Sequence, residues 1–165
     1  MATSTLIQRL DSTALVTSTT VPGGYTVVTT PDVSNRRQVE TFIAGGTVVV
    51  GDWLQFDTSK SGAERVLTVI QATNVALGNP LVVGVCLGSA DADGSLTAGS
   101  KINVIVSGYA EVANVDGAVV AGSPLTVDTT AGRAHVAVTG DISVCGVALA
   151  ADVANVAPVW IYKQF

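Results

Sequence analysis

From Lys101 to Val106 apolar and polar positions alternate. Ile102, Val104 and Val106 share one face, and Lys101, Asn103 and Ile105 the other. A period of two predicts a strand with one face in a core. The same period recurs in Leu54/Phe56, in Leu125/Val127 and over Arg133 to Val138. There Ala134, Val136 and Val138 are expected to face the core and Arg133, His135 and Ala137 to face away. Leu81 to Leu87 is almost wholly apolar, as for a strand buried on both sides. Arg65 to Gln71 is a further strand candidate, while Ala72 to Leu77, ended by Gly78-Asn79-Pro80, reads as a loop or a short helical turn. Val156 to Phe165 forms a closing strand, with Pro158 suited to an edge or a strand start.

These strands belong to a unit that the chain writes twice. Gly46-Thr47-Val48-Val49-Val50-Gly51-Asp52-Trp53-Leu54-Gln55-Phe56-Asp57-Thr58-Ser59 returns, offset by 71 positions, as Gly117-Ala118-Val119-Val120-Ala121-Gly122-Ser123-Pro124-Leu125-Thr126-Val127-Asp128-Thr129-Thr130. Seven of the fourteen positions are identical, which is too ordered a match to read the halves separately. Val83-Gly84-Val85-Cys86-Leu87 is then answered by Cys145-Gly146-Val147-Ala148-Leu149 at an offset of 62, so the first copy holds nine more residues in between. That insertion is placed at about Ala63 to Pro80. Asp57 and Asp128 are each followed by Ser or Thr and then Gly, a composition that makes hydrogen-bonded turns in preference to a catalytic carboxylate pair.

Residues 1 to about 40 differ. Arg9, Arg36 and Arg37 balance Asp11, Asp32 and Glu40, and Thr, Val and Ser dominate Thr13 to Thr30. Ala14 to Thr20 and Tyr25 to Thr30 read as strands joined by Val21-Pro22-Gly23-Gly24. A lone hairpin is marginal in water, so it pairs either with the barrel of its own chain or with a neighbour. Arg36-Arg37 reads either as an anchor for an acidic surface or as two solvated charges in a linker. The expected organisation is an N-terminal arm over 1–40 and a barrel domain over 41–165, with repeat units of about 45–112 and 116–165. The expected fold is all-β: a small β-barrel or sandwich built from the duplicated strand unit, with an extended N-terminal β-hairpin arm.

Composition narrows the function. Hydrophobic residues make up 48% of the 165 and charged ones 13%, too few to cover a free monomer, so partner chains are expected over much of the surface. A net charge of −5 with one adjacent basic pair argues against nucleic acid. No apolar run is long enough to span a bilayer, and Met1-Ala2-Thr3-Ser4-Thr5 lacks the features of a secretion signal, so folding in the cytoplasm is expected. Cys86 and Cys145 read as two buried hydrophobes in preference to a disulfide. Strict alternation from the shared glycine would point them to opposite faces of equivalent strands.

Ser89-Ala90-Asp91-Ala92-Asp93-Gly94 opens like a calcium loop but has Ile102 where the bidentate Glu belongs, so it reads as a turn. His135 is the single histidine and cannot by itself found a metal site. With no nucleophile elbow, phosphate loop or zinc-binding helix motif, no enzyme and no cofactor are expected.

The order of signals in the second half carries a resemblance. Ile102-Asn103-Val104-Ile105-Val106-Ser107-Gly108-Tyr109-Ala110-Glu111-Val112, then Gly117 to Leu125, then Gly146-Val147-Ala148-Leu149-Ala150 and a closing strand resembles the small β-barrel cement or decoration proteins of tailed-phage capsids. The resemblance covers about residues 45 to 165. The 63–80 insertion and the first 40 residues depart from it. It implies a homotrimer, made in the host cytoplasm and carried on the virion, that binds the outside of an assembled head and clamps neighbouring major capsid protein subunits. A phage tail, spike or head-fibre component that binds a host surface is the rival expectation. The interface residues expected on this reading are Thr17, Thr19, Tyr25 and Val27 of the arm, Arg36 and Arg37, and the C-terminal Trp160, Tyr162 and Phe165.

Overall fold

The computed structural model describes residues 18–21, 25–28, 36–74, 78–141, 143–162 and 164. The chain divides into two units, Met1–Arg36 and Arg37–Phe165. In the first, β1 (Ser18–Val21) and β2 (Tyr25–Val28) form an antiparallel hairpin with Thr19 opposite Val27 and Val21 opposite Tyr25. Thr17 and the Pro22-Gly23-Gly24 turn lie outside the described residues.

The second unit opens with β3 (Arg37–Ala44), four residues ahead of the expected start at 41. There follow β4 (Trp53–Phe56), a short helix α1 (Gly62–Leu67), β5 (Thr68–Gln71), β6 (Val82–Ser89) and the 14-residue β7 (Lys101–Asn114). β3, β5, β4, β6 and β7 pair in that order, and β7 returns to β3, which closes a five-stranded barrel. The closing contact between β3 and β5 is short, the parallel pairs Ile43 with Thr68 and Ala44 with Val69. Phe42, Leu54, Val69, Cys86, Ile102 and Val104 fill its interior.

β8 (Pro124–Val127), β9 (Ala134–Val136), β10 (Gly146–Ala148) and β11 (Val156–Ile161) repeat the plan. From β7 the order runs β11, β10, β8, β9. Leu54 pairs with Gly84 and Trp53 with Val85, just as Leu125 pairs with Gly146 and Pro124 with Val147. Phe56 opposite Val69 is matched by Val127 opposite Ala134. The parallel pair of Ala44 with Val69 returns as a parallel bridge between Val115 and Ala134. The N-terminal part of β7 therefore ends the first half and its C-terminal part begins the second. Gly108, opposite both Arg37 and Ile161, marks the handover inside one continuous strand.

The nine extra residues of the first half divide differently from the expectation. Equivalent residues are 71 apart at Leu54/Leu125, 65 apart at Val69/Ala134 and 62 apart at Gly84/Gly146. Six residues therefore fall before β5, the length of α1, and three between β5 and β6. β5 is not specific to the first half, and Arg65 to Leu67 are helical, not extended. The helix buries none of its residues. It is tied down by Arg65, which donates from Nε to the Lys60 carbonyl (2.9 Å) and from Nη2 to the Thr58 carbonyl (3.2 Å).

Alternation misleads at three other places. Val138 is 65% exposed, because β9 ends at Val136 and a turn held by the Val138 N–H on Asp141 Oδ2 follows. Pro158 lies mid-strand between β7 and β10, not at an edge. It is tolerated because the β7–β11 register shifts between Ala157 and Val159, where a missing N–H breaks no ladder bond, and its carbonyl still accepts from the Leu149 N–H (2.8 Å). Cys86 and Cys145 do not point to opposite faces of equivalent strands. Cys86 and Val83, the counterpart of Cys145, sit in one interior although three apart, because β6 is bulged against β4 between Leu54 and Gln55. Cys145 and Ala148 share the other interior. Both thiols are free and buried.

The halves meet along the outside of β4, β6 and β7. Trp53, Ala72, Val82, Val85 and Ile105 point out of the first barrel and are buried under the second half, with Leu125, Ala148 and Ile161 among the residues they join. Ile105 is thus outward-facing, as its parity says, yet 2% exposed. The β8–β9 turn is stitched to the first half by the Trp53 N–H on the Gly132 carbonyl (2.9 Å), the Gly132 N–H on Ala72 (2.9 Å) and the Asn74 N–H on Asp128 (2.8 Å). Beside it the buried Asp52 carboxylate accepts from the Val49 N–H (2.9 Å), Gln71 Nε2 (2.7 Å) and Asn114 Nδ2 (2.9 Å).

Candidate interaction surface

Two of the expected interface residues of the second unit, Trp160 and Tyr162, are exposed on the outer side of the second half. Trp160, 38% exposed, stands on β11 between Tyr109 of β7 and Val147 of β10, and Val147 in turn faces Pro124 of β8. The Ala137 N–H donates to the Pro124 carbonyl (2.8 Å), which extends the row past β8. Five uncharged residues from four strands and the segment after β9 thus form one band across the wall. Cross-strand neighbours on one face stand about 5 Å apart, so the band is continuous. Tyr162, 43% exposed, follows on β11's chain, its N–H held by the Cys145 carbonyl (2.9 Å).

Tyr109, Val147, Pro124 and Ala137 were not among the expected interface residues. Each is apolar at an outward position of a strand or next to one, and the parity signal was in the sequence. Register between β7, β11, β10 and β8, which brings them to one line, was not.

Arg37 is half-buried in β3 opposite Gly108, and Arg36, the last residue of the first unit, is exposed. The boundary between the units falls between these two arginines. Thr19, Tyr25 and Val27 lie on the hairpin strands. Thr17 and Phe165 lie outside the described residues.

The residues weighed for chemistry are committed to turns. Asp57 Oδ1 accepts the Ser59 N–H (3.0 Å) and hydroxyl (2.6 Å), and Asp128 Oδ1 accepts the Thr130 N–H (2.9 Å) and the Thr129 hydroxyl (2.9 Å). The Ser59 hydroxyl holds the Asp57 carboxyl below its ordinary pKa; burial opposes this, and the Ser59 N–H, Lys60 and Arg65 add to it. At Asp128 burial is the largest influence and works upward, but the bonds from Thr130 and Thr129 and the neighbouring His135 outweigh it and the net shift is down. His135 is partly exposed, with Nδ1 3.4 Å from Asp128 Oδ2 and Nε2 3.9 Å from Asp141 Oδ2. In the loop before β7, Asp91 accepts the Lys101 N–H (2.7 Å) and Asp93 the Ser95 N–H (2.9 Å), which makes it a backbone-tied turn. Among the described residues no group of three or more His, Cys, Asp or Glu side chains is placed to hold a metal ion.

No protein-family model matches this sequence, and no characterised protein matches it.

Proposed function

We propose that this protein is a structural component of a phage virion that binds the outside of an assembled head as a trimer and cements contacts between major capsid protein subunits. The observation that carries the reading is the uncharged band Tyr109–Trp160–Val147–Pro124–Ala137 laid across the outer wall of an all-β chain with few charges. A contiguous apolar band of this kind is a site for protein contact. The order of motifs from Ile102 to Ala150, with its resemblance to cement proteins, supplies the class of partner. The hairpin β1–β2 is a two-stranded sheet in a unit of its own. A strand pair of that size gains stability by adding to another sheet, which suits an arm that reaches a neighbour on the shell. Many modest contacts repeated by shell symmetry then sum to firm attachment.

The test is co-sedimentation of the purified protein with matured heads that lack it. Saturable binding at a fixed ratio to capsid subunits, lost on deletion of residues 1–36, supports the reading. A stable oligomer that ignores heads overturns it and favours a tail, spike or fibre component.

A further inference from the structure

The aromatic end of the outer band is the part that solvent reaches. Trp160 and Tyr162 are exposed, and Tyr109, directly across from Trp160, is half-buried. Glu111 lies two residues beyond Tyr109 on β7, roughly 7 Å along the strand, and is exposed. The other four carboxylates of this half each accept a backbone N–H: Asp116 from Gly117, Asp128 from Thr130, Asp141 from Val138 and Asp152 from Val119. The charge around the band is one-sided. From Gly108 to Phe165 the chain has two cations, Arg133 and Lys163, against these five carboxylates, a net of −3. From Arg37 to Ser107 four cations stand against six carboxylates, a net of −2. The register of β3 sets one half-buried cation, Arg37, opposite Gly108.

We infer that Trp160, Tyr109 and Glu111 form a docking surface for a basic segment of a partner protein, whose Arg or Lys side chains stack on the aromatic faces and pair with the carboxylate. This rests on the cement reading above and names the chemistry that the head surface presents to the band. Charge selects the occupant. Both halves of this chain are acidic, so a second copy brings like charge to the wall, and so does a phosphate-bearing surface. A basic segment brings the opposite sign. Cations are drawn to aromatic faces, to Trp most strongly, and cross-strand neighbours such as Trp160 and Tyr109 stand about 5 Å apart, so one segment spans both rings. Glu111 then lies within reach of the next basic side chain.

Co-sedimentation of the full chain with matured heads that lack it, at about 50 mM and about 500 mM salt, tests this. The variants are W160L, which keeps apolar bulk and removes the aromatic face, E111Q and E111K. E64K is the control: it makes the same change of charge at an exposed residue of α1, in the first half. Circular dichroism and thermal melting establish that each variant is folded, and if W160L does not fold, the Glu111 variants carry the test. Wild-type affinity is expected to fall about tenfold or more between the two salts. At low salt W160L and E111K should bind roughly tenfold more weakly and E111Q roughly threefold, while E64K stays within about twofold. Binding that ignores salt, W160L bound as tightly as wild type, or E111K no weaker than E64K overturns the inference and leaves the cement reading standing. A wild-type chain that binds heads at neither salt overturns both.

Discussion

Ile105 and Trp160 hold equivalent places in the two halves, and the carbonyl of each lies over a glycine: Gly84 under Ile105, Gly146 under Trp160. A Cβ on Gly84 would fall on the Ile105 carbonyl oxygen, and one on Gly146 would lie 2.6 Å from that of Trp160. The shared glycine of the repeat is therefore required by close backbone approach, which neighbouring side chains cannot relieve. G84A should destabilise by about 3 kcal/mol or more and G146A by about 1–3 kcal/mol. Gly46, with nothing within 4 Å of its added Cβ, is the control, and G46A should stay within about 0.5 kcal/mol. Urea unfolding decides. Equal, small effects at all three positions would contradict the geometry.

Asp52 should count for more than its counterpart Ser123. Its carboxylate serves Val49, Gln71 and Asn114, whereas among the described residues the Ser123 hydroxyl accepts one bond, from the Val120 N–H at 3.4 Å. D52A leaves three donors without their acceptor and should cost roughly 2–4 kcal/mol; S123A should cost less than about 1 kcal/mol. A double-mutant cycle of D52A with N114A should show coupling, because the two side chains share a bond.

Acid should weaken the fold through Asp57 and Asp128. Both carboxyls are held below the ordinary aspartate range, so in the native state they bind protons less tightly than in the unfolded chain. Such groups add stability above the unfolded value and lose it as pH falls through the lower native value. Melting temperature should therefore drop as pH falls below about 4, and D57N should flatten part of that limb. S59A removes the largest cause at Asp57, and NMR titration of that carboxyl should show its pKa move upward. No movement in S59A would refute the assignment.

Both thiols should be silent in the native protein. Burial pushes Cys86 up to about 11 and Cys145 above the usual thiol range, so neither forms an appreciable thiolate at pH 8. Ellman's reagent should find none at that pH and two in denaturant. Because the two residues lie in separate interiors, air oxidation of the native protein should yield no intramolecular disulfide.

The sequence by itself determined the strands, the duplication and the turns. Alternation is set by the pleat, the shared glycines by backbone approach, and the aspartate turns by bonds within two residues, and all three are local. Asp57 and Asp128 show how far this reaches, since each accepts the N–H two residues on and one hydroxyl, from Ser59 in the first turn and from Thr129 in the second. Only the tertiary structure decided that Ile105, outward by parity, is covered while Trp160, its equivalent, is exposed. It also decided that Pro158 sits within the sheet and that Arg65 to Leu67 turn into a helix. The physical reason is common to these cases. Which face is buried, and where a ladder can skip a bond, depend on register between strands far apart in sequence and on which half packs over the other, and a period of two says nothing of either.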